Sequence, residues 1–182
     1  LIFNNVEHRL IREDELTGLD CVQGLDFGYT NDPSAFNQTY IDTKNKKIFI
    51  FDGFYEKGLS NSAITAKIKD LGLHRHMTTA DSSEPKSIDA ISAKGVRVKG
   101  ALKGPDSINS GIDFLLDYEI ILNAHLVEFM TEFNNYAWKV DKKTNKAINK
   151  PVDEFNHFID SLRYATEKYH AKRRGGRLNI DG

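Results

Sequence analysis

The sequence is poor in the residues that staple or interrupt a chain. A single cysteine, Cys21, excludes a disulfide framework and a thiolate zinc site. A buried strand cysteine in a reducing, intracellular compartment is the expectation. Only four prolines in 182 residues, with 40% hydrophobic content, exclude a disordered chain. No apolar run approaches the roughly 20 residues that a membrane span needs, and the opening LIFNNVEHRLIRED lacks the basic, apolar, small-residue order of a signal peptide. No membrane partner is expected. Charge of one sign is not in excess either: a formal net charge of −1 supplies no overall attraction to nucleic acid. Any affinity for DNA must be local.

What is present fits one domain of ordinary size. Residues 1–17 have no clear period and read as a linker or lead-in segment, 18–174 as the domain, and 175–182 as a flexible C-terminal tail. CVQGLDFG, 21–28, reads as a buried strand, and the two β-rich runs of 34–56 about the polar TKNKK read as a hairpin. SNSAITAKIKDLG, 60–72, opens on an N-cap serine and closes on glycine, with Ile64, Ile68 and Leu71 at helical spacing. A strand in 77–83, a helix over 85–95 with proline in its first turn, a strand over 96–103 and a helix over 107–118 continue the alternation. EIILN, 119–123, reads as a short apolar run. A helix over 125–137 precedes a lysine-rich hairpin, WKVDKKTNKAINKP, and a long last helix, PVDEFNHFIDSLRY, over 151–164. This order indicates an α/β fold: a mixed sheet, with an antiparallel hairpin edge plus parallel crossovers, flanked by helices.

Aspartates at element ends carry the chemistry. Asp26 lies in the first strand, Asp81 ends the fourth, and Asp160 lies on the last helix. The first strand should sit between the hairpin and the crossovers, which makes it a neighbour of the fourth. Three massed carboxylates raise one another's pKa unless a cation neutralises them. Magnesium and manganese are hard ions that suit oxygen donors, and two such ions about 3.5–4 Å apart can drive phosphodiester cleavage. In the last helix, spacings of four and three put Asp153, His157 and Asp160 on one stripe. A lone histidine is more often structural, but here His157 could donate to a phosphate, orient water or ligate a metal. Asp32, before proline, reads as a turn residue. Lys139, Lys142, Lys143, Lys146 and Lys150 before the last helix, and Lys168, Lys172, Arg173, Arg174 and Arg177 after it, are either solvated faces or contacts to a DNA backbone. Some motifs are decoys. DFG at 26–28 lacks the other parts of a kinase, EPK at 84–86 sets a proline where a central strand would carry the motif, and HRH at 74–76 has no acidic partner.

GLDFGYTNDPSA, ADSSEPKSI, KGPDSINSGID and PVDEFNHFIDSLRYA, in this order, resemble the C-terminal nuclease domain of tailed-phage large terminase subunits over roughly residues 20–170. The last motif is the most specific, because its Asp, Asn-His, Asp and Arg-Tyr positions match together. The resemblance implies a ribonuclease H-like fold. It also implies a metal-dependent endonuclease that cuts concatemeric double-stranded viral DNA by metal-activated water attack, in the cytoplasm of an infected bacterial host. On that likeness Asp26, Asp81 and Asp160 are ligands of Mg²⁺ or Mn²⁺, expected as two ions, while His157 and Asp153 are accessory catalytic positions. The lysine-rich segment matches a hairpin over the active site. The packaging ATPase domain of the same subunit, the small terminase subunit and the portal are the implied partners. This chain has no GxxxxGK[ST] phosphate loop, so the nuclease part alone is expected. Two alternatives remain open on these residues: a junction resolvase or transposase-like nuclease of the same fold, and a weakly active docking module of the packaging motor. An actin-like nucleotide-binding domain would need a second matching half, for which the chain is too short.

Overall fold

Runs rich in β-branched and aromatic residues form the strands β1 (Val6–Arg9), β2 (Asp20–Asp26), β3 (Pro33–Asp42), β4 (Lys47–Lys57), β5 (Thr78–Ala80), β6 (Val98–Gly100) and β7 (Glu119–Asn123) in the computed structural model, which describes residues 1–171. They pair into one seven-stranded sheet in the order β1-β7-β4-β3-β2-β5-β6. Strands β2, β3 and β4 are antiparallel neighbours. β5 and β6 extend the sheet in parallel beyond β2, and β7 and β1 do so beyond β4. The expected mixed sheet is present, with the first predicted strand, β2, between the hairpin and the crossovers, but the β3–β4 hairpin is not an edge: β7 pairs with β4 and β1 with β7, so parallel strands flank it on both sides. The helices are α1 (Asn61–Asp70), α2 (Pro85–Ala93), α3 (Ser107–Leu116), α4 (Val127–Asn135), α5 (His157–Ala165) and α6 (Glu167–His170). A two-stranded ribbon, β8 (Trp138–Val140) with β9 (Ala147–Pro151), stands apart from the main sheet, as the lysine-rich hairpin requires.

The sheet is buried on both faces because its side chains alternate. Ile48 and Ile50 of β4, with Ile120 and Leu122 of β7, pack beneath α3, α4 and α5. Leu25 of β2, Phe36 of β3 and Ala80 of β5 meet α1 and α2 on the opposite face. α1 begins as its sequence indicates: the Ala63 N–H donates to the Ser60 hydroxyl at 3.1 Å.

The structure departs from the sequence reading in three places that matter. Residues 1–17 are not merely a lead-in. β1 forms a sheet edge, and Ile2 and Phe3 are buried, Phe3 packing on Phe133 and Tyr136. β1 pairs through its backbone and leaves Glu7 and His8 exposed, so it shows no alternation. EIILN is a full internal strand, buried on both faces, which removes the period-2 signal. The last helix starts at His157, not at Pro151. Pro151 belongs to β9, opposite Trp138, and Phe155 has φ 55°, outside helical conformation. Asp153 is therefore off the helix, and the predicted stripe is cut to His157 and Asp160. Lys172, Arg173, Arg174, Arg177 and the expected tail 175–182 lie outside the described residues.

Candidate active site

Register brings the first two aspartates together. β2 and β5 run parallel with Leu25 opposite Ala80, and the Asp81 N–H donates to the Leu25 carbonyl at 3.2 Å. Asp26 and Asp81 each follow this last pair directly. They therefore emerge side by side at the carboxyl ends of adjacent parallel strands, where open α/β sheets bind their ligands.

α5 brings the third. It buries Phe158, Ile159, Leu162 and Ala165 on the sheet, each large side chain contributing roughly 1.5–3 kcal/mol. Its approach depends on Gly24, two residues before Asp26 and on the same face of β2. A Cβ at Gly24 would stand 1.9 Å from the Ser161 carbonyl oxygen and 2.9 Å from the Ala165 Cβ. A buried polar chain locks the crossing. The Ser161 hydroxyl accepts from Asn37 Nδ2 at 2.9 Å and donates to the Phe158 carbonyl at 2.6 Å, while Thr39 donates to Asn37 Oδ1 at 2.7 Å. With the helix held there, His157 and Asp160 in its first turn face the strand ends.

Asp26, Asp81 and Asp160 line one cavity of about 800 Å³, together with Lys103, Arg163 and Tyr164. Each carboxylate stands beside a basic side chain of the protein itself. His157 Nδ1 lies 3.4 Å from Asp26, Lys103 Nζ 2.6 Å from Asp81, and the Arg163 guanidinium 2.8 Å from Asp160. Burial, then repulsion from Asp160 and Asp81, pushes the Asp26 carboxyl up to about 7 despite the imidazole beside it. Burial also raises Asp160, against the pull of Arg163. Asp81 is different: burial opposes its charge, but Lys103 and the Ser83 N–H prevail and hold it below the usual range. The hydrogen bond to Asp26 raises His157.

These observations test whether a divalent ion suits the site. As the side chains stand, no three Asp, Glu, His or Cys groups among the described residues close around one point as ligands. The donor set nevertheless fits a hard cation: carboxylate oxygens, from three separate elements, mutually repelling and offset only by neighbouring basic side chains. An ion there would relieve the unfavourable charge that Asp26 and Asp160 carry.

The other candidates divide. Asp32, read as a turn residue, also lies 3.6 Å from His157 Nε2, so the ring stands between two aspartates. Asp153 is exposed and pairs with Lys139 at 2.5 Å, away from these contacts. Lys142, Lys143, Lys146 and Lys150 are exposed on the β8–β9 hairpin. Sequence reasoning missed Lys103, whose loop is fastened by the Leu102 N–H donating to Glu167 at 2.8 Å. It also missed the function of Arg163, which is 6% exposed. A Cβ at Gly111 of α3 would crowd its Cδ at 2.9 Å, so that glycine gives the guanidinium stem its room. A lone arginine in an apolar helical run was the available signal.

A mixed sheet with acidic residues at the ends of neighbouring strands, and a helix across it supplying another, defines the ribonuclease H-like class. The chain belongs to one family of that class, since residues 26–168 match the family described as Terminase RNAseH like domain. It is 34% identical over 168 residues to the large terminase subunit of Bacillus phage SPP1, an alignment covering 90% of this chain and 40% of that protein. It is 29% identical over 150 residues to the PBSX phage terminase large subunit of Bacillus subtilis strain 168, covering 80% of this chain and 34% of the relative. This chain thus spans well under half the length of either. In structure it resembles the SPP1 large terminase nuclease domain crystallised with bound Mn, with 32% identity, a TM-score of 0.84, and coverage of 92% of this chain and 98% of that one. The P22 large terminase nuclease domain shares the fold at 15% identity, with a TM-score of 0.68 over 90% of this chain and 88% of its own.

Proposed function

We propose that this domain is a metal-dependent endonuclease that cuts concatemeric double-stranded DNA during viral genome packaging. The observation that carries the reading is the convergence of Asp26, Asp81 and Asp160 on one cavity, each beside a basic side chain. The Mn bound to the related SPP1 nuclease domain supports it.

Asp26, Asp81 and Asp160 would hold Mg²⁺ or Mn²⁺, in a site read as taking two ions. Bound there, the metal would acidify a water and neutralise charge on the phosphodiester. The protein's own groups supply the rest. His157 keeps its proton to higher pH because Asp26 accepts from it, which suits it to donate to a phosphate or leaving oxygen. Lys103 is half-exposed and can exchange Asp81 for a phosphate oxygen. The exposed Lys142, Lys143, Lys146 and Lys150, with Lys139 at the base of the hairpin, would hold the DNA backbone without reading bases, so cutting should have little sequence preference. The greater length of the SPP1 and PBSX relatives supports a packaging ATPase domain on the same subunit, with the small terminase subunit and the portal as further partners and the host cytoplasm as the setting.

Plasmid cleavage tests this. Supercoiled DNA should be nicked and linearised with Mn²⁺ or Mg²⁺ and left intact with a chelator. Asp26→Ala, Asp81→Ala and Asp160→Ala should each fall to the chelator baseline. Full activity in all three variants would remove the mechanism.

A further inference from the structure

The first turn of α5 carries His157 and Asp160, yet nothing adjacent in sequence caps it. Asn156 occupies the capping position without a side-chain cap bond. A helix start leaves four N–H groups without intrahelical partners, and here the acceptor comes from another helix. Glu132 of α4 is 1% exposed, and its Oε1 accepts from the Phe158 N–H at 2.9 Å and the Ile159 N–H at 3.1 Å. Its other oxygen, Oε2, makes no hydrogen bond of full geometry among the described residues, although the Glu132 pKa, raised by burial, is pulled back in part by the nearby Tyr55 hydroxyl. Burying a carboxylate this way is costly. Adhesion between the two helices does not require it, because the Phe129 and Phe158 rings already stack at 3.9 Å and 6°. Stacked rings permit sliding and rotation, whereas two hydrogen bonds from consecutive amides fix both.

We infer that Glu132 is a positioning residue: by holding the Phe158 and Ile159 amides, it sets the height and rotation of α5 so that His157 and Asp160 meet Asp26 and Asp81. This deepens the reading of the three aspartates as a metal site and rests on it.

The test compares Glu132→Gln and Glu132→Ala in the 182-residue chain. Mn²⁺ binding is measured calorimetrically without DNA, and amide hydrogen exchange is followed at residues 158 and 159 and along β3. Gln keeps the accepting oxygen, so Glu132→Gln should retain protection at both amides and near-native Mn²⁺ affinity. Glu132→Ala should expose those amides while β3 stays protected, and should weaken Mn²⁺ binding about tenfold or more. If the alanine variant does not fold, Glu132→Asp, one methylene shorter, should show the same selective loss in smaller degree. Wild-type Mn²⁺ affinity in Glu132→Ala would overturn the inference. So would equal loss of protection in α5 and β3, or a Gln variant as weak as the Ala variant. A wild-type chain that bound no Mn²⁺ would instead overturn the metal reading, while exchange at 158 and 159 would still decide the cap.

Discussion

Asp26 sits where a carboxylate is hard to ionise: 7% exposed, at a strand end, with Asp160 and Asp81 repelling its charge. Its proton is held up to about 7 against an ordinary 3.8. The folded state therefore binds more protons than the unfolded chain between these values, and stability falls as pH rises through that window. Below it the penalty is absent, and above it complete. Asp26→Asn should accordingly raise the Tm in chelator, with a gain that grows from about pH 4 to pH 7. It should also abolish both cleavage and the rise in Tm that Mn²⁺ gives the wild type. Thermal scans across pH, with and without Mn²⁺, check this; a variant less stable than wild type at pH 8 in chelator would contradict it. Legibility in the sequence follows the same physics. Asp26 and Asp160 stood out because an acid within an apolar run is costly unless it has a partner. Glu132 did not, because its position within EFMTEFNN looks like an ordinary solvated helical face.

At the scale of elements, the contact between β2 and α5 sets the precision of the site. Gly24 lets a helix carbonyl come where any Cβ would collide at 1.9 Å, so Gly24→Ala must push α5 outward. Overpacking of this kind costs about 1–3 kcal/mol, and displacement of Asp160 adds a functional loss. Denaturant unfolding should show the destabilisation, and Mn²⁺ calorimetry a weaker site; unchanged metal affinity would show that α5 need not sit so close. The sequence reading of this helix went astray at its start. Asp153 and His157 have helical spacing, but Phe155 leaves helical conformation at φ 55° and Pro151 completes a ribbon strand. Periodicity reports which residues could share a face, not where a helix begins when a neighbouring hairpin claims its first residues. β1 and β7 were obscured for complementary reasons, one exposed along its edge and the other buried on both faces.

Across the whole molecule, charge separates where the net charge does not show it. Asp26, Asp81 and Asp160 gather in the cavity, and the hairpin lysines extend into solvent outside the main sheet. Replacing Lys142, Lys143 and Lys146 by Ala should therefore leave the Tm within error and weaken DNA binding. The slope of log affinity against log salt should shrink by about 0.9 for each lysine that meets a duplex phosphate. Binding measured between low and moderate salt tests this, and an unchanged slope would remove the hairpin from the DNA path.

The sequence alone determined the fold class, through its hydrophobic periods and the order of its elements. It also marked Asp26 and Asp160, because an unpaired acid inside an apolar run is expensive, and Asp81 through its place at the end of a neighbouring strand. Only the tertiary structure decided that Asp26 and Asp81 stand one residue past the same register pair, that Asp153 is left outside, that Lys103 and Arg163 stand against Asp81 and Asp160, and that Glu132 accepts from the first amides of α5. Most of those are contacts between elements distant in the chain, set by strand register and by how closely a helix can approach a glycine, and local patterning carries neither.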